Sequence, residues 1–276
     1  MDWLTTVLEL PFMQRAFAAG LALGLILPFL GVFVTLRKLS FLGDGIAHAA
    51  LAGVAVGVLT STSTFLAALA VAVLFGIALF LLERSTEISN DALIGVLFSG
   101  ALALGILLMG LKRGYQPELF SFLFGSILSI SSQDLWIILV FSTIIFMVLC
   151  KLKRHFTLLA LDRDSAWLAG MHTEWLDLLF YVLVSVTVVL GVKLLGIVLV
   201  SALLVIPPTT AKMLAPSFRI LIVGSVMGGE LFILLGLTLS YVLDLPSGAT
   251  IVLVGVSVFV LAAGGRLLAS RLASRR

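Results

Sequence analysis

Asp44 and His48 stand four residues apart in the stretch 39–59, LSFLGDGIAHAALAGVAVGVL. On a helix that spacing puts both on one face. A carboxylate oxygen and a neutral imidazole nitrogen suit zinc and manganese alike, so the chemistry the pair offers is coordination of a divalent ion. Two ligands alone hold an ion weakly. The competing reading is structural: a carboxylate favoured by the helix N-terminus, and a hydrogen-bonded core histidine. Glu230, in MGGELFILLG, is a second ionisable group within an apolar run. An acid at that depth must be protonated, paired or wet. It either faces a pathway or a dimer seam, or sits protonated and hydrogen-bonded beside Gly228 and Gly229.

The elements that must position these groups are membrane helices. Of 276 residues, 61% are hydrophobic and 11% charged, and the mean hydropathy is +1.26. A soluble domain is about half apolar and a quarter charged, so this is an integral membrane protein. Gly43, Gly45, Gly53 and Gly57, with alanines between them, let neighbouring helices approach closely in an apolar solvent. The net charge of +3 and pI near 9.2 reflect loop lysines and arginines, and nucleic acid is not an expected partner. The single cysteine, Cys150, excludes an internal disulfide, and with three histidines a structural zinc cage is not expected. The acidic start MDWLTTVLELPF lacks the basic region of a cleaved signal, so the first apolar stretch is expected to remain as a span.

At about 20 residues per crossing, the chain reads as eight or nine spans. Nine is preferred: 16–36, 45–60, 65–82, 91–111, 134–150, 176–192, 194–211, 220–243 and 249–265. Asn90 and Asp91, then Ser132 and Asp134, read as helix caps, and Pro246–Ser247–Gly248 as a turn. Pro207 and Pro208 are expected to end or kink the seventh span, freeing carbonyls near Ser201. The run 118–130 is too short to cross and return, so it is a half-helix or an interfacial helix. With the C-terminus inside, the segments at 37–38, 84, 151–163, 212–219 and 266–276 hold most of the 17 Lys and Arg. The positive-inside bias therefore places the N-terminus outside and the C-terminus in the cytoplasm. Residues 151–175 form the only sizeable inner loop, in which His155 and His172 read as surface residues. No GxxxxGK[ST], HExxH or GxSxG motif occurs, so another chain must supply any ATP hydrolysis.

Five segments resemble the permease subunits of bacterial ABC importers for divalent metal ions, the zinc and manganese uptake family. They are RKLSFLGDGIAHAALAGVAVG at 37–57, FLFGSIL at 122–128, DRDSAWLAGM at 162–171, KLLGIVLVSALLVIPPTTAKMLA at 193–215 and DLPSGATIVL at 244–253. The resemblance implies an all-α polytopic permease, a single transmembrane domain over 1–276, related in fold to the vitamin B12 and siderophore permeases. It implies a homodimer in the bacterial inner membrane, with two ABC ATPase subunits on the cytoplasmic side and an extracytoplasmic metal-binding protein outside. Zn2+ or Mn2+ is then cargo, with no permanently bound cofactor. Ser126 stands where some relatives carry an acid and is given no metal role. Ala52, in HAALAG, stands where manganese-type relatives often carry proline, which points to the zinc branch. The inner loop is expected to transmit ATPase motion, with Asp162 at its start and Ala166 and Gly170 as a small face for a groove on the ATPase. Two other functions compete. A proton-coupled secondary metal transporter would use Asp44 and Glu230 as proton carriers, but no inverted repeat is visible. An intramembrane metalloenzyme using His48 would need a third ligand and a base.

Overall fold

The computed structural model describes residues 10–111 and 130–273, and the segment read as a half-helix, with Ser126, lies outside them apart from Ile130. The described residues form ten helices: α1 Pro11–Leu36, α2 Leu42–Thr60, α3 Thr64–Ser85, α4 Asn90–Leu111, α5 Ser132–Leu161, α6 Arg163–Leu168, α7 Thr173–Leu195, α8 Ile197–Leu214, α9 Phe218–Leu243 and α10 Ser247–Ala273. Among these residues nine helices, all but α6, are long and apolar enough to cross a membrane, and no strand is present.

The helices sort into two compact units. The first comprises Met1–Thr35, Ile127–Ser142 and Ala202–Arg276, and the second Leu36–Ser126 and Thr143–Ser201. In the second unit α2 is the hub, touching α3, α4 and α7. Glycine makes this possible. A Cβ at Gly53 would lie 2.6 Å from the Ala67 carbonyl oxygen and from Ala68 Cα, and one at Gly57 2.8 Å from Thr64 Cα. A Cβ at Gly76 of α3 would lie 2.5 Å from Ser185 Oγ of α7, and one at Gly105 of α4 3.2 Å from Ala52 Cα. Lipid tails are as apolar as leucine, so helix association here rests on van der Waals packing, which backbone-to-backbone approach maximises.

The first unit uses glycine against proline. Pro28 has no N–H to give the Gly24 carbonyl, and that carbonyl lies against Gly229 of α9. Pro208 likewise frees the Leu204 carbonyl, which lies against Gly31 of α1. Arg266 Nη1 donates to the Met213 carbonyl at 2.7 Å, satisfying an acceptor in the last turn of α8.

Three expectations change. The prolines at 207 and 208 do not end the helix: α8 continues to Leu214. They remove the N–H partners of the Leu203 and Leu204 carbonyls, which are the freed groups near Ser201. The inner loop is not 151–175, because α5 absorbs 151–161. Phe156 and Leu159 there are buried while Lys151, Lys153 and Arg154 are exposed, an amphipathic continuation that leaves only 162–172 between α5 and α7. His155 therefore belongs to a helix, its Nδ1 buried without a hydrogen-bond partner. The cap of α5 is Ser131, whose Oγ accepts from Asp134 N–H at 3.1 Å and donates to Asp134 Oδ2 at 2.7 Å.

Two alanine substitutions separate packing from propensity. Gly53→Ala should destabilise the protein by about 1–3 kcal/mol, the usual range for overpacking against neighbours that cannot yield. Gly95→Ala, where a Cβ meets nothing within 4 Å, should stabilise α4 by about 0.5–1 kcal/mol. Thermal unfolding of the detergent-solubilised protein reads both.

Candidate functional site

Asp44 lies in the first turn of α2 and His48 one turn further in. Because α2 begins at Leu42 and not at 45, His48 sits about 9 Å along the helix, by the rise per residue. Both side chains are half-buried. His48 Nδ1 lies 2.9 Å from the backbone carbonyl oxygen of Asp44. A carbonyl only accepts, so Nδ1 carries the proton, and a neutral ring then presents Nε2 as a bare lone pair. The ring stands edge-on to Phe98 of α4, centroids 4.8 Å apart. This is how a metal-binding imidazole is ordinarily oriented: the far nitrogen is fixed by a carbonyl and the ring by packing. No group of three His, Cys, Asp or Glu near enough to share an ion occurs among the described residues.

Glu230 lies at the centre of α9, in the other unit. Its Oε2 is buried with no hydrogen-bond partner, and a Cβ at Gly24 would lie 3.5 Å from the carboxyl group. The hydrogen-bonded glutamate that the sequence allowed is thus not seen at this oxygen. Gly24 of α1, as well as the adjacent Gly228 and Gly229, makes its surroundings.

Asp162 caps α6. Its Oδ1 accepts from the N–H groups of Asp164 and Ser165, both at 3.1 Å, and Oδ2 from the Ser165 hydroxyl at 2.5 Å. These bonds, the Ser165 hydroxyl first, hold its carboxyl below the usual aspartate range. Ala166 and Gly170 do not share an exposed face. Ala166 is 0% exposed, while Gly170 is exposed with φ +77°, a conformation glycine adopts freely. What α6 shows to its surroundings is Trp167, 67% exposed, and Leu168, 76% exposed. Beside them, Trp167, His172, Glu174, Trp175 and Arg84 line an open hollow of about 490 Å³.

Sequence reasoning missed a charge cluster at this end of the second unit. Asp177, almost wholly buried on α7, pairs with Arg37 at 2.7 Å and with Arg163 at 3.0 Å. The Arg37 guanidinium also lies over Phe180 at 4.7 Å and Tyr181 at 5.5 Å. The Tyr181 hydroxyl donates to Glu83 at 2.5 Å, and Asn90 donates to Glu83 at 2.9 Å. Arg84 pairs with Glu174. The available signal was opposite charge at the ends of runs assigned to the same side: Arg37 and Arg163 basic, Asp177 acidic.

Comparison with known proteins follows this geometry. The model of the ABC 3 transport family matches residues 9–265. The manganese transport system membrane protein MntC of Halalkalibacterium halodurans is 32% identical over 256 residues, 93% of this chain and 88% of that protein. The high-affinity zinc uptake system membrane protein ZnuB of Haemophilus influenzae is 31% identical over 251 residues, 89% of this chain and 94% of that protein. Among solved structures, PsaBC from Streptococcus pneumoniae in complex with Fab matches with a TM-score of 0.83 at 28% identity, covering 95% of this chain and 94% of that one. The likeness therefore runs through both compact units and every helix described.

Two consequences of the geometry can be measured. Arg37→Gln leaves a buried carboxylate with only its more exposed partner, and should cost about 3 kcal/mol, the low end for a broken buried pair; a lowered unfolding temperature reads it. Asp162 has a depressed folded value, so its support of α6 is full above the ordinary aspartate value near 3.9 and is lost as pH falls through the lower folded value. Trp167 emission should follow that loss on acidification, whereas Asp162→Asn, which keeps an acceptor but has no charge to lose, should remove this transition.

Proposed function

The chain belongs to the ABC 3 transport family, and on that premise we propose that it is the permease subunit of an ATP-driven importer of divalent metal ions, with Zn2+ as cargo. The observation that carries the reading is the His48 ring, with Nδ1–H tied to the Asp44 carbonyl and Nε2 left as a lone pair on the face that carries the Asp44 carboxylate. An ion crossing a low-dielectric layer sheds water and needs replacement donors. One nitrogen and one carboxylate supply them without holding the ion for long. Copies of the pair from a second protomer would complete a transient stop.

Zinc is favoured over manganese by what stands one turn beyond the histidine. Ala52 keeps its N–H, which the α-helical pattern directs to the His48 carbonyl. A proline there would free that carbonyl as a hard oxygen donor of the kind manganese prefers. With alanine, imidazole nitrogen is a principal donor, which suits zinc.

The remaining parts follow the same premise. Separate ATPase subunits bind the cytoplasmic face, where Trp167 and Leu168 of α6, rather than Ala166 and Gly170, offer an apolar surface. Asp162 serves by capping that helix. An extracytoplasmic binding protein delivers the ion, the N-terminus lies outside and the C-terminus in the cytoplasm of a bacterial inner membrane. No resident cofactor is required. A second reading, a proton-coupled carrier acting alone, draws on the unpartnered Oε2 of Glu230 within α9.

The deciding experiment is uptake in proteoliposomes holding the permease with the ATPase that co-purifies with it. Wild-type uptake of zinc should require ATP, and zinc should stimulate hydrolysis more than manganese or iron. Asp44→Asn and His48→Gln should each lower uptake tenfold or more with the dimer and ATPase binding intact. Uptake driven by a proton gradient without ATP, and abolished by Glu230→Gln, would establish the carrier reading instead. Normal rates in both the Asp44 and His48 variants would make that pair structural.

A further inference from the structure

We propose that Asp177 is a switched link between α6 and the turn that leads into α2, so that movement of α6 resets the position of Asp44 and His48. The inference rests on the transport reading above, because it assigns α6 the receipt of motion from an ATPase.

Arg163 is the first residue of α6, directly after its Asp162 cap. Its guanidinium reaches Asp177 Oδ2 at 3.0 Å, and the other oxygen of the same carboxylate meets Arg37 Nη2 at 2.7 Å. Arg37 is the first residue beyond α1 and lies five positions before α2 begins. Between them the backbone turns through Lys38 at φ +59°, a left-handed conformation that lysine occupies only when its surroundings hold it there. One carboxylate therefore grips both the coupling segment and the turn that starts the helix bearing Asp44 and His48.

The two grips differ in a way that makes a switch. The Arg163 side chain is 45% exposed, while that of Arg37 is 12% exposed. Arg37 Nη1 and Asp177 Oδ1 are both buried without a hydrogen bond, so the 2.7 Å contact to Nη2 is an ion pair that is not aligned as one. A guanidinium with one spare donor beside a carboxylate can pass from a single contact to a two-point one. While Arg163 holds Oδ2, Arg37 is confined to one oxygen. When α6 moves and withdraws Arg163, Asp177 can rotate both oxygens onto Arg37, satisfying Nη1. The two arrangements are discrete, as coupling between separated sites requires of the element that carries it.

The far side of Arg37 is fixed, so a change of grip is not absorbed there. Its guanidinium stacks on Phe180 and Tyr181, and the Tyr181 hydroxyl is held by Glu83, itself bonded to Asn90 at the start of α4. The change of grip therefore bears on the turn at 37–41, whose left-handed Lys38 is held by its surroundings and which leads directly into α2.

The test uses Arg163→Gln in the permease–ATPase complex, with Arg84→Gln as control. The control breaks the Arg84–Glu174 pair, at the same end of α7, which feels the charges of Asp177 and Arg163 but makes an ion pair with neither. We expect Arg163→Gln to keep ATP hydrolysis without zinc within twofold of wild type while zinc uptake per ATP falls tenfold or more. Arg84→Gln should keep the wild-type ratio, and Arg163→Lys, which preserves charge, should recover part of the loss. In the purified permease, Arg163→Gln should also alter amide hydrogen exchange at 38–46 several-fold while exchange in α9 is unchanged. An unchanged uptake-to-hydrolysis ratio in Arg163→Gln overturns the proposal, as does an equal fall in Arg84→Gln. Wild type without zinc-dependent uptake overturns the transport reading, and the exchange comparison then decides the link alone: no change at 38–46 rejects it.

Discussion

Close approach of helix backbones at glycine is the constraint on which the rest of the structure depends. Between membrane helices there is no gain from removing apolar surface from water, so contact must come from atoms meeting at van der Waals distance. At Gly53 and Gly57 the backbone of α2 lies against that of α3, and at Ala52 against Gly105 of α4. These approaches are also what make α2 a fit platform. A histidine and an aspartate on a loosely packed helix would hold no defined geometry, whereas here the ring is set by the Asp44 carbonyl and by Phe98.

Proline serves the same end in the other unit. Each proline within α1 and α8 leaves a carbonyl without its helical partner, and in hydrocarbon an unsatisfied carbonyl is costly. The Gly24 and Leu204 carbonyls are placed against Gly229 and Gly31, where a glycine lets a neighbouring Cα approach. Weak Cα–H contacts to oxygen are available at such spacing and nowhere that a Cβ intervenes. That arrangement accounts for Pro208 inside a continuing helix. The helix is supported from outside at the point where its own ladder is interrupted.

Much of this was legible in the residues. Apolar length alone gave the helices their number and approximate bounds, because a bilayer fixes how long a span must be. The i,i+4 spacing gave the shared face of Asp44 and His48, and the glycines around them gave the packed setting. What was not legible has a physical pattern too. Hydropathy marks where the apolar run stops, not where the helix stops, so α5 was cut at Cys150 although Phe156 and Leu159 continue one buried face. Small residues were read as exposed contact at Ala166, but a small residue is equally suited to being buried under a neighbour, and that is where it lies. The Arg37–Asp177–Arg163 cluster joins residues more than a hundred positions apart, and no local pattern declares which charges at helix ends will meet.

On the transport reading proposed above, the position of that cluster bears on how two protein ligands suffice. A site with many donors would bind an ion well and release it slowly, whatever the protein did next. A site with one carboxylate and one imidazole instead depends on placement, since a displacement smaller than a bond length from optimum already weakens a contact between ion and donor. Control of such a site then requires only that the start of one helix be moved, not that ligands be exchanged. The start of α2 is where the fold concentrates its few buried charges: Arg37 before the helix, and Asp177 beside it on α7. Buried ion pairs add little to stability compared with apolar packing of the same volume, so their retention in so apolar a chain fits a positional role better than a stabilising one. Rigid glycine contacts along α2 and an adjustable charged contact at its head are complementary: the first keeps the helix a single body, and the second gives that body something to be moved by.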